Sequence, residues 1–326
     1  MTAVRRSVVV ERFGDPSVLR PRTDPLPLPG PGQALVRVLA SGVARADALM
    51  RSGRYPRGPR PPFVPGWDVA GHVEDVGGGV PAEWLGRRVV ALVPAGGYTS
   101  HAVVPAERLV PVPDGTDLHA AACLPLNYVT AYQLLHRVAD VGPGDRVLVR
   151  GASGGVGTAL LDLAARAGAV VFGSASARGR DVVRSFGAEF VDDASADLRG
   201  IAPDVVLDSI GGDGLTRSLR ALSDGGVLVS FGFLAGLDRP ALLRQAARVL
   251  GWSALPNGRR VRTYRLSAAV RRAPGQVRDD LATLVGHLAA GELRTLVAGA
   301  LPLDRAADAH RALEDRAVRG KLLLTP

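Results

Sequence analysis

Residues 146–157 read Arg146-Val147-Leu148-Val149-Arg150-Gly151-Ala152-Ser153-Gly154-Gly155-Val156-Gly157. An apolar run of strand length ends in a glycine-rich turn. The stretch TALLDLAARAG then follows with helical periodicity and stops at Gly168. Gly151, Gly154 and Gly157 therefore stand in a strand–turn–helix unit, the context that a dinucleotide fingerprint requires. Glycines let the backbone turn tightly and approach a pyrophosphate, and the helix start supplies free N–H groups and a positive dipole end. Ser153, Gly154, Gly155 and Val156 are expected to hold the cofactor there.

Downstream the alternation continues. AVVFGSAS reads as a strand, RDVVRSFGA as a helix, DVVLDSIGG as a strand, LTRSLRALSDGG as a helix and VLVSFGF as a strand. This βαβαβαβ order implies a doubly wound parallel sheet with right-handed crossovers. The C-terminal ends of such strands face the ligand, which makes Ser209 and the stretch Phe231 to Phe233 cofactor contacts by position. Upstream the texture differs. Residues 4–11, 34–40, 69–76, 88–93, 102–104 and 109–112 are short strand-like runs separated by Gly and Pro, as in a mostly antiparallel β domain. Asp117 is placed to cap an Ala-rich helix. The last part carries a helix from Val277 to Ala290, a strand from Leu296 to Leu301, a helix from Arg305 to Glu314 and a final strand KLLLT.

The second strand of the parallel unit decides the cofactor. NAD sites place an acid at its end, for the ribose 2′-hydroxyl. Here it ends Gly173-Ser174-Ala175-Ser176-Ala177-Arg178-Gly179-Arg180, without an acid. Hydroxyls and guanidinium groups suit a 2′-phosphate, so NADPH is expected, held by Ser174, Ser176 and Arg178.

Composition narrows the rest. The 326 residues, 47% hydrophobic, allow two cored domains. The net charge of +9 carries a skew: lysine occurs once, as Lys321, and the other 39 basic residues are arginine. They are scattered, and aromatic content is 5%, which argues against a nucleic-acid surface and leaves a phosphate-bearing small ligand. No run reaches the length of a spanning helix, and Val8-Val9-Val10 is too short for a signal-peptide core, so a cytoplasmic protein without a membrane partner is expected. The single cysteine, Cys123, excludes an internal disulfide and a cysteine-rich zinc site.

The motifs GASGGVGTALLDLAARAGA, RSFGAEFVDD, DVVLDSIGGD and GGVLVSFG occur in a familiar order. GYTSHAVVPAERLVPVPDG and ASGVARADALMRSGRYPRGPRPPFVPGWDVAGHVEDVG precede them. With these, the whole chain resembles the medium-chain dehydrogenase/reductase superfamily, and within it the zinc-independent quinone oxidoreductase and enoyl-reductase-like branch. LPNGRRVRTYRL is similar to a subgroup related to the synaptic vesicle membrane protein VAT-1. The resemblance implies an α/β protein with a GroES-like β-rich domain, residues 1–123 and 271–326, and a Rossmann domain, residues 124–270. It also implies a homodimer joined along sheet edges near Val261-Arg262-Thr263-Tyr264.

Zinc members of that superfamily carry Cys and His where this chain has Ala44 and Trp67, so no metal is expected. A chain without that Lewis acid is poorly suited to alcohol oxidation. Hydride transfer to a quinone or an α,β-unsaturated carbonyl remains feasible, because conjugation spreads the developing charge. The resemblance places Tyr55, Asn127, Ala44 and Trp67 around a hydrophobic substrate, with Tyr55 and Asn127 as the assisting groups, and Thr130 near the cofactor. Asp68 is read as structural. The alternatives are a cofactor-binding scaffold with little turnover, or a polyketide-type tailoring enzyme on the same fold.

Overall fold

The structure is a computed structural model and describes residues 3–194, 198–232, 239–254 and 258–326. It divides into two compact units, Met1–Val129 with Ala269–Pro326, and Thr130–Ala268.

The chain enters the first unit with β1 (Val4–Val10) and β2 (Leu19–Pro25), which pair antiparallel. β2 was not foreseen, because LRPRTDP carries two prolines. The strand pairs on one side only, where a missing N–H is tolerated. β3 (Gln33–Val43) is the spine of the larger sheet, with β4 (Asp68–Val76), β5 (Arg88–Leu92), β6 (His101–Pro105) and β7 (Val110–Pro111) around it. α1 (Arg45–Arg51) leaves the end of β3. Ala34, Val36, Val38, Val69, Val73, Val89 and Val104 fill the space inside these strands. α2 is short (Leu118–Ala121); the Asp117 carboxylate accepts from the His119 N–H at its start. The chain then forms a π turn at Leu124–Tyr128, where Pro125 has no N–H to continue the α ladder.

The second unit starts with α3 (Val129–Tyr132) and is built on β8 (Arg146–Arg150), α4 (Gly155–Arg166), β9 (Val170–Ala175), α5 (Arg180–Ser185), β10 (Glu189–Asp192), β11 (Val205–Asp208), α6 (Gly214–Ala221), β12 (Val227–Ser230), α7 (Arg239–Ala254) and β13 (Arg260–Thr263). The strands form one parallel sheet in the order β10-β9-β8-β11-β12-β13. The order reverses between β8 and β11, the point at which doubly wound sheets open a ligand crevice. β13 is the terminal strand of the sheet. β10 adds a strand to the four read from the residues, and β13 is the edge strand that the resemblance implied near Val261-Arg262-Thr263-Tyr264. At four residues each they are too short to show periodicity.

The chain then returns to the first unit through α8 (Leu266–Arg272) and α9 (Pro274–Ala289), followed by β14 (Val297–Pro302), α10 (Ala306–Glu314) and β15 (Lys321–Thr325). β15 pairs antiparallel with β3, which brings the last strand of the chain against residues 41–43.

Candidate functional site

In the first unit the polar residues converge on the turn after β3. β15 pairs Leu322 with Val43, so Lys321 starts its strand beside that turn. Its side chain then crosses over Gly42. A Cβ on Gly42 would stand 2.0 Å from Lys321 Cε and 2.3 Å from Asp68 Oδ2, so only glycine leaves this passage. Lys321 Nζ donates to Asp68 Oδ2 at 2.5 Å and to Asn127 Oδ1 at 3.5 Å. The backbone N–H of Leu126 donates to Asp68 Oδ1 at 2.7 Å. Lys321 is 2% exposed and Asp68 is fully buried. Burial pushes the Asp68 carboxyl above its ordinary range, and the Lys321 ammonium pulls it back.

Beside this pair, Asp47 supports α1. Its Oδ2 accepts from the Ala44 N–H at 2.8 Å and its Oδ1 from the Gly66 N–H at 3.0 Å. The Tyr98 hydroxyl donates to Asp47 Oδ2 at 3.1 Å and lies 3.1 Å from His310 Nε2, an arrangement that the Nε2–H tautomer satisfies. Burial raises Asp47 to about 7 and lowers His310 to about 3. These shifts oppose each other. Asp47, raised in the folded chain, contributes stability that is lost as pH rises from its unfolded value near 3.8 towards 7. His310, lowered in the folded chain, costs stability as pH falls from 6.5 towards 3. Between about 3.8 and 6.5 the two slopes cancel. A His310→Gln variant is expected to expose the Asp47 slope: relative to the unchanged protein, its unfolding free energy falls by about 1.4 kcal/mol per pH unit as pH rises through that window. Urea unfolding at pH 4, 5 and 6 checks this, and parallel pH profiles for the two proteins would contradict it.

Trp67 is 2% exposed, and its ring lies 6.0 Å from that of the half-buried Tyr55 at an angle of 56°. Its buried indole N–H has no partner among the described residues. Ala44 is buried directly before α1. The residues at the metal position do not fit zinc. Ala44 and Trp67 offer no donor atom, and the acid Asp68 is bound to an ammonium group. Among the described residues no group of three His, Cys, Asp or Glu side chains is arranged to hold a metal.

In the second unit, Gly154 caps α4 in extended conformation, and the Thr158 N–H returns to the Gly154 carbonyl at 2.8 Å. Gly151 has φ +78°, and a Cβ on Gly157 would stand 2.3 Å from the Gly151 carbonyl oxygen. The loop is thus closed on itself by backbone, leaving its outer side and the first N–H groups of α4 for a ligand. These residues fit a nicotinamide dinucleotide. Ser153 packs against the turn after β9, where a Cβ on Gly179 would stand 2.7 Å from its Oγ. Ser176 and Arg178 lie exposed just past β9. Ser174 is buried, and its hydroxyl donates to Asp193. Ser209 donates to the Arg150 carbonyl at 2.8 Å, and Thr130 is buried at the start of the unit. Phe231 is half-buried behind β12, and Phe233 lies outside the described residues.

Residues 30–114 match the family model for the alcohol dehydrogenase GroES-like domain, and residues 186–324 match that for zinc-binding dehydrogenase. The synaptic vesicle membrane protein VAT-1 homolog of Rattus norvegicus is 32% identical over 98% of this chain and 84% of its own length. The chain belongs to the medium-chain dehydrogenase/reductase superfamily. Within that superfamily it falls in the zinc-independent quinone oxidoreductase and VAT-1-like branch. The quinone oxidoreductase of Rattus norvegicus is 30% identical over 98% of the chain and 97% of its own. A mycobacterial structure complexed with NADPH superposes with a TM-score of 0.84 at 30% identity, over 98% of this chain and all of that one. The medium-chain dehydrogenase/reductase relationship makes the protein an oxidoreductase of nicotinamide type. No helix among the described residues is long and apolar enough to cross a membrane.

Sequence reasoning missed the Asp47–Tyr98–His310 cluster, as well as Lys321, Asp193 and Arg150. Lys321 was noted for being unique and given no role. Asp193 and Arg150 were not singled out, although Arg150 Nη2 lies 3.2 Å from Asp193 Oδ1 and Arg150 Nη1 lies 3.2 Å from Asp208 Oδ2. The signal for Lys321 and Arg150 was a charged residue at the end of a buried strand; Asp193 follows the short, partly exposed β10 and carried no such signal.

Proposed function

We propose that the protein is an NADPH-dependent reductase of quinones or α,β-unsaturated carbonyls that works without a metal. The observation that carries the reading is the Lys321–Asp68 pair in a chain with a dinucleotide loop: the acid that a metal centre would use is already neutralised by a lysine. Bound NADPH supplies the hydride. The chain's own residues hold it at Gly154, Gly155 and Val156, and receive its 2′-phosphate at Ser176 and Arg178. Of the two described acids beside that strand end, Asp193 is engaged by Ser174 and Arg150, and Asp192 accepts from the Ala194 N–H, which supports NADPH over NADH. Trp67 and Tyr55 form an aromatic wall suited to a flat conjugated acceptor. The acceptor gains the hydride at one end of its conjugated system and a proton from Tyr55 or water at the other. A dimer formed along β13 is part of the same proposal and follows from its place at the sheet edge.

The test is NADPH oxidation in the presence of a benzoquinone or an enone, with and without a chelator, for the protein and its Arg178→Ala variant. Turnover unaffected by chelator is expected, with KM for NADPH raised about tenfold or more in the variant and that for NADH little changed, as for loss of a charge-assisted contact. Chelator-sensitive turnover, or equal NADPH affinity in the variant, would overturn the corresponding part. Tight NADPH binding with no turnover of any acceptor would favour a scaffold role.

A further inference from the structure

A cavity of about 520 Å³ lies in the second unit, among the loop after β11, the start of α6 and the face of α7. It does not belong to the glycine loop. Along β9, Gly173 faces α5, since a Cβ there would meet Val183 at 2.5 Å. Ser174 therefore faces the opposite side of the sheet, and Arg150 is its register partner. Arg150 reaches Ser218 of α6 on that opposite side. The cavity is on the α6–α7 face, and α4 with its phosphate loop packs on the other.

Among the described residues four arginines line the cavity, Arg150, Arg217, Arg244 and Arg248, against one acid, Asp213. Their charges are unequally engaged. Arg150 is 2% exposed and paired with Asp208 and Asp193, yet its buried Nε has no hydrogen-bond partner among the described residues. Arg248 pairs with Asp213 at 2.7 Å. Arg217 and Arg244 have no carboxylate hydrogen-bonded to them among the described residues, and both are exposed towards solvent at the cavity. Arg244 and Arg248 stand four residues apart, hence on one face of α7.

The floor is fixed in place. Gly211 and Gly212 have φ +75° and +63°. Gln245, 6% exposed, accepts from the Gly212 N–H at 2.9 Å and donates to Ser230 Oγ and the Gly232 carbonyl, both at 3.3 Å. A Cβ on Gly211 would meet Gln245 Oε1 at 2.5 Å, and one on Gly214 would meet Arg150 Nη1 at 2.6 Å. The glycines let the loop close down on these two buried side chains.

We propose that this cavity is a second anion site that binds the dianionic phosphate of a small organic phosphate, through Arg217 and Arg244, independently of the dinucleotide loop. Two guanidinium groups with no hydrogen-bonded carboxylate among the described residues match a dianion, and their planar donor forks match phosphate oxygens. The volume falls within the range of small-molecule pockets and exceeds what inorganic phosphate alone fills.

The experiment is calorimetric titration of inorganic pyrophosphate into the full chain, alone and with saturating NADP+. It is repeated for Arg217→Ala/Arg244→Ala and for the charge-keeping Arg217→Lys/Arg244→Lys. Saturable binding that persists with NADP+ is expected. The alanine pair should weaken it at least about tenfold and the lysine pair should retain most of it, with NADP+ affinity within about twofold throughout. Pyrophosphate binding that NADP+ abolishes would place the anion on the glycine loop and overturn the proposal, as would equal binding by the alanine pair. A chain that binds pyrophosphate but not NADP+ would refute the proposed function and leave this site standing.

Discussion

Lys321→Met is expected to destabilise the protein by roughly 3–5 kcal/mol, the usual cost of leaving one partner of a buried ion pair without its counter-charge. The methionine fills nearly the same path over Gly42, so the loss reports charge more than volume. Asp68 would keep the Leu126 N–H and lose the ammonium group, in a setting where burial alone already raises its pKa. Two further outcomes separate this from simple misfolding. The deficit should shrink on acidification, because a protonated Asp68 needs no counter-charge. It should also shrink in Lys321→Met/Asp68→Asn, whose carboxamide still accepts from Leu126. Denaturant unfolding measures all three, and a single-variant loss below about 1 kcal/mol, the scale of an exposed pair, would show the pair to be dispensable.

Gly157→Ala is the second large effect. The new Cβ would stand 2.3 Å from the Gly151 carbonyl oxygen and 2.6 Å from that of Ala152, both backbone atoms that move only if the loop is reshaped. A stability loss of about 1–3 kcal/mol is expected from the overpacking, with NADPH affinity down at least about tenfold. Gly154→Ala is the control. Its Cβ would meet only the Gly151 carbonyl, at 3.5 Å, so the fold should be unaffected. NADPH fluorescence titration then separates the two. Affinity equal to that of the unchanged protein in both variants would remove the dinucleotide assignment from this loop.

The parallel sheet was readable because its central strands are buried on both faces and hence uniformly apolar, as in RVLVR and DVVLD. The strand KLLLT and the helix after Arg305 were readable for the same periodic reasons. Proline misled at β2, where one-sided pairing absorbed the missing N–H. The polar clusters were less legible. Lys321 and Asp68 are 253 residues apart in the chain, and nothing local in either segment names its partner. Asp193 was hidden similarly, following a strand too short to read, with its neighbours Ser174 and Arg150 on two other strands.

The lysine passage over Gly42 also constrains what the lineage can become. A zinc centre of the superfamily's type would require Ala44→Cys, Trp67→His and removal of the lysine together. Taken singly, each step is penalised. Trp67→His would open a hole beside Tyr55 of the kind that costs a few kcal/mol, about 3–5 for full truncation of a buried tryptophan. A thiol introduced at position 44 would be buried, as Cys123 is, whose pKa burial pushes up to about 12. Loss of Lys321 would leave Asp68 charged without a counter-ion until the metal arrived. The passage therefore makes the three substitutions interdependent: each is harmful until the others are present.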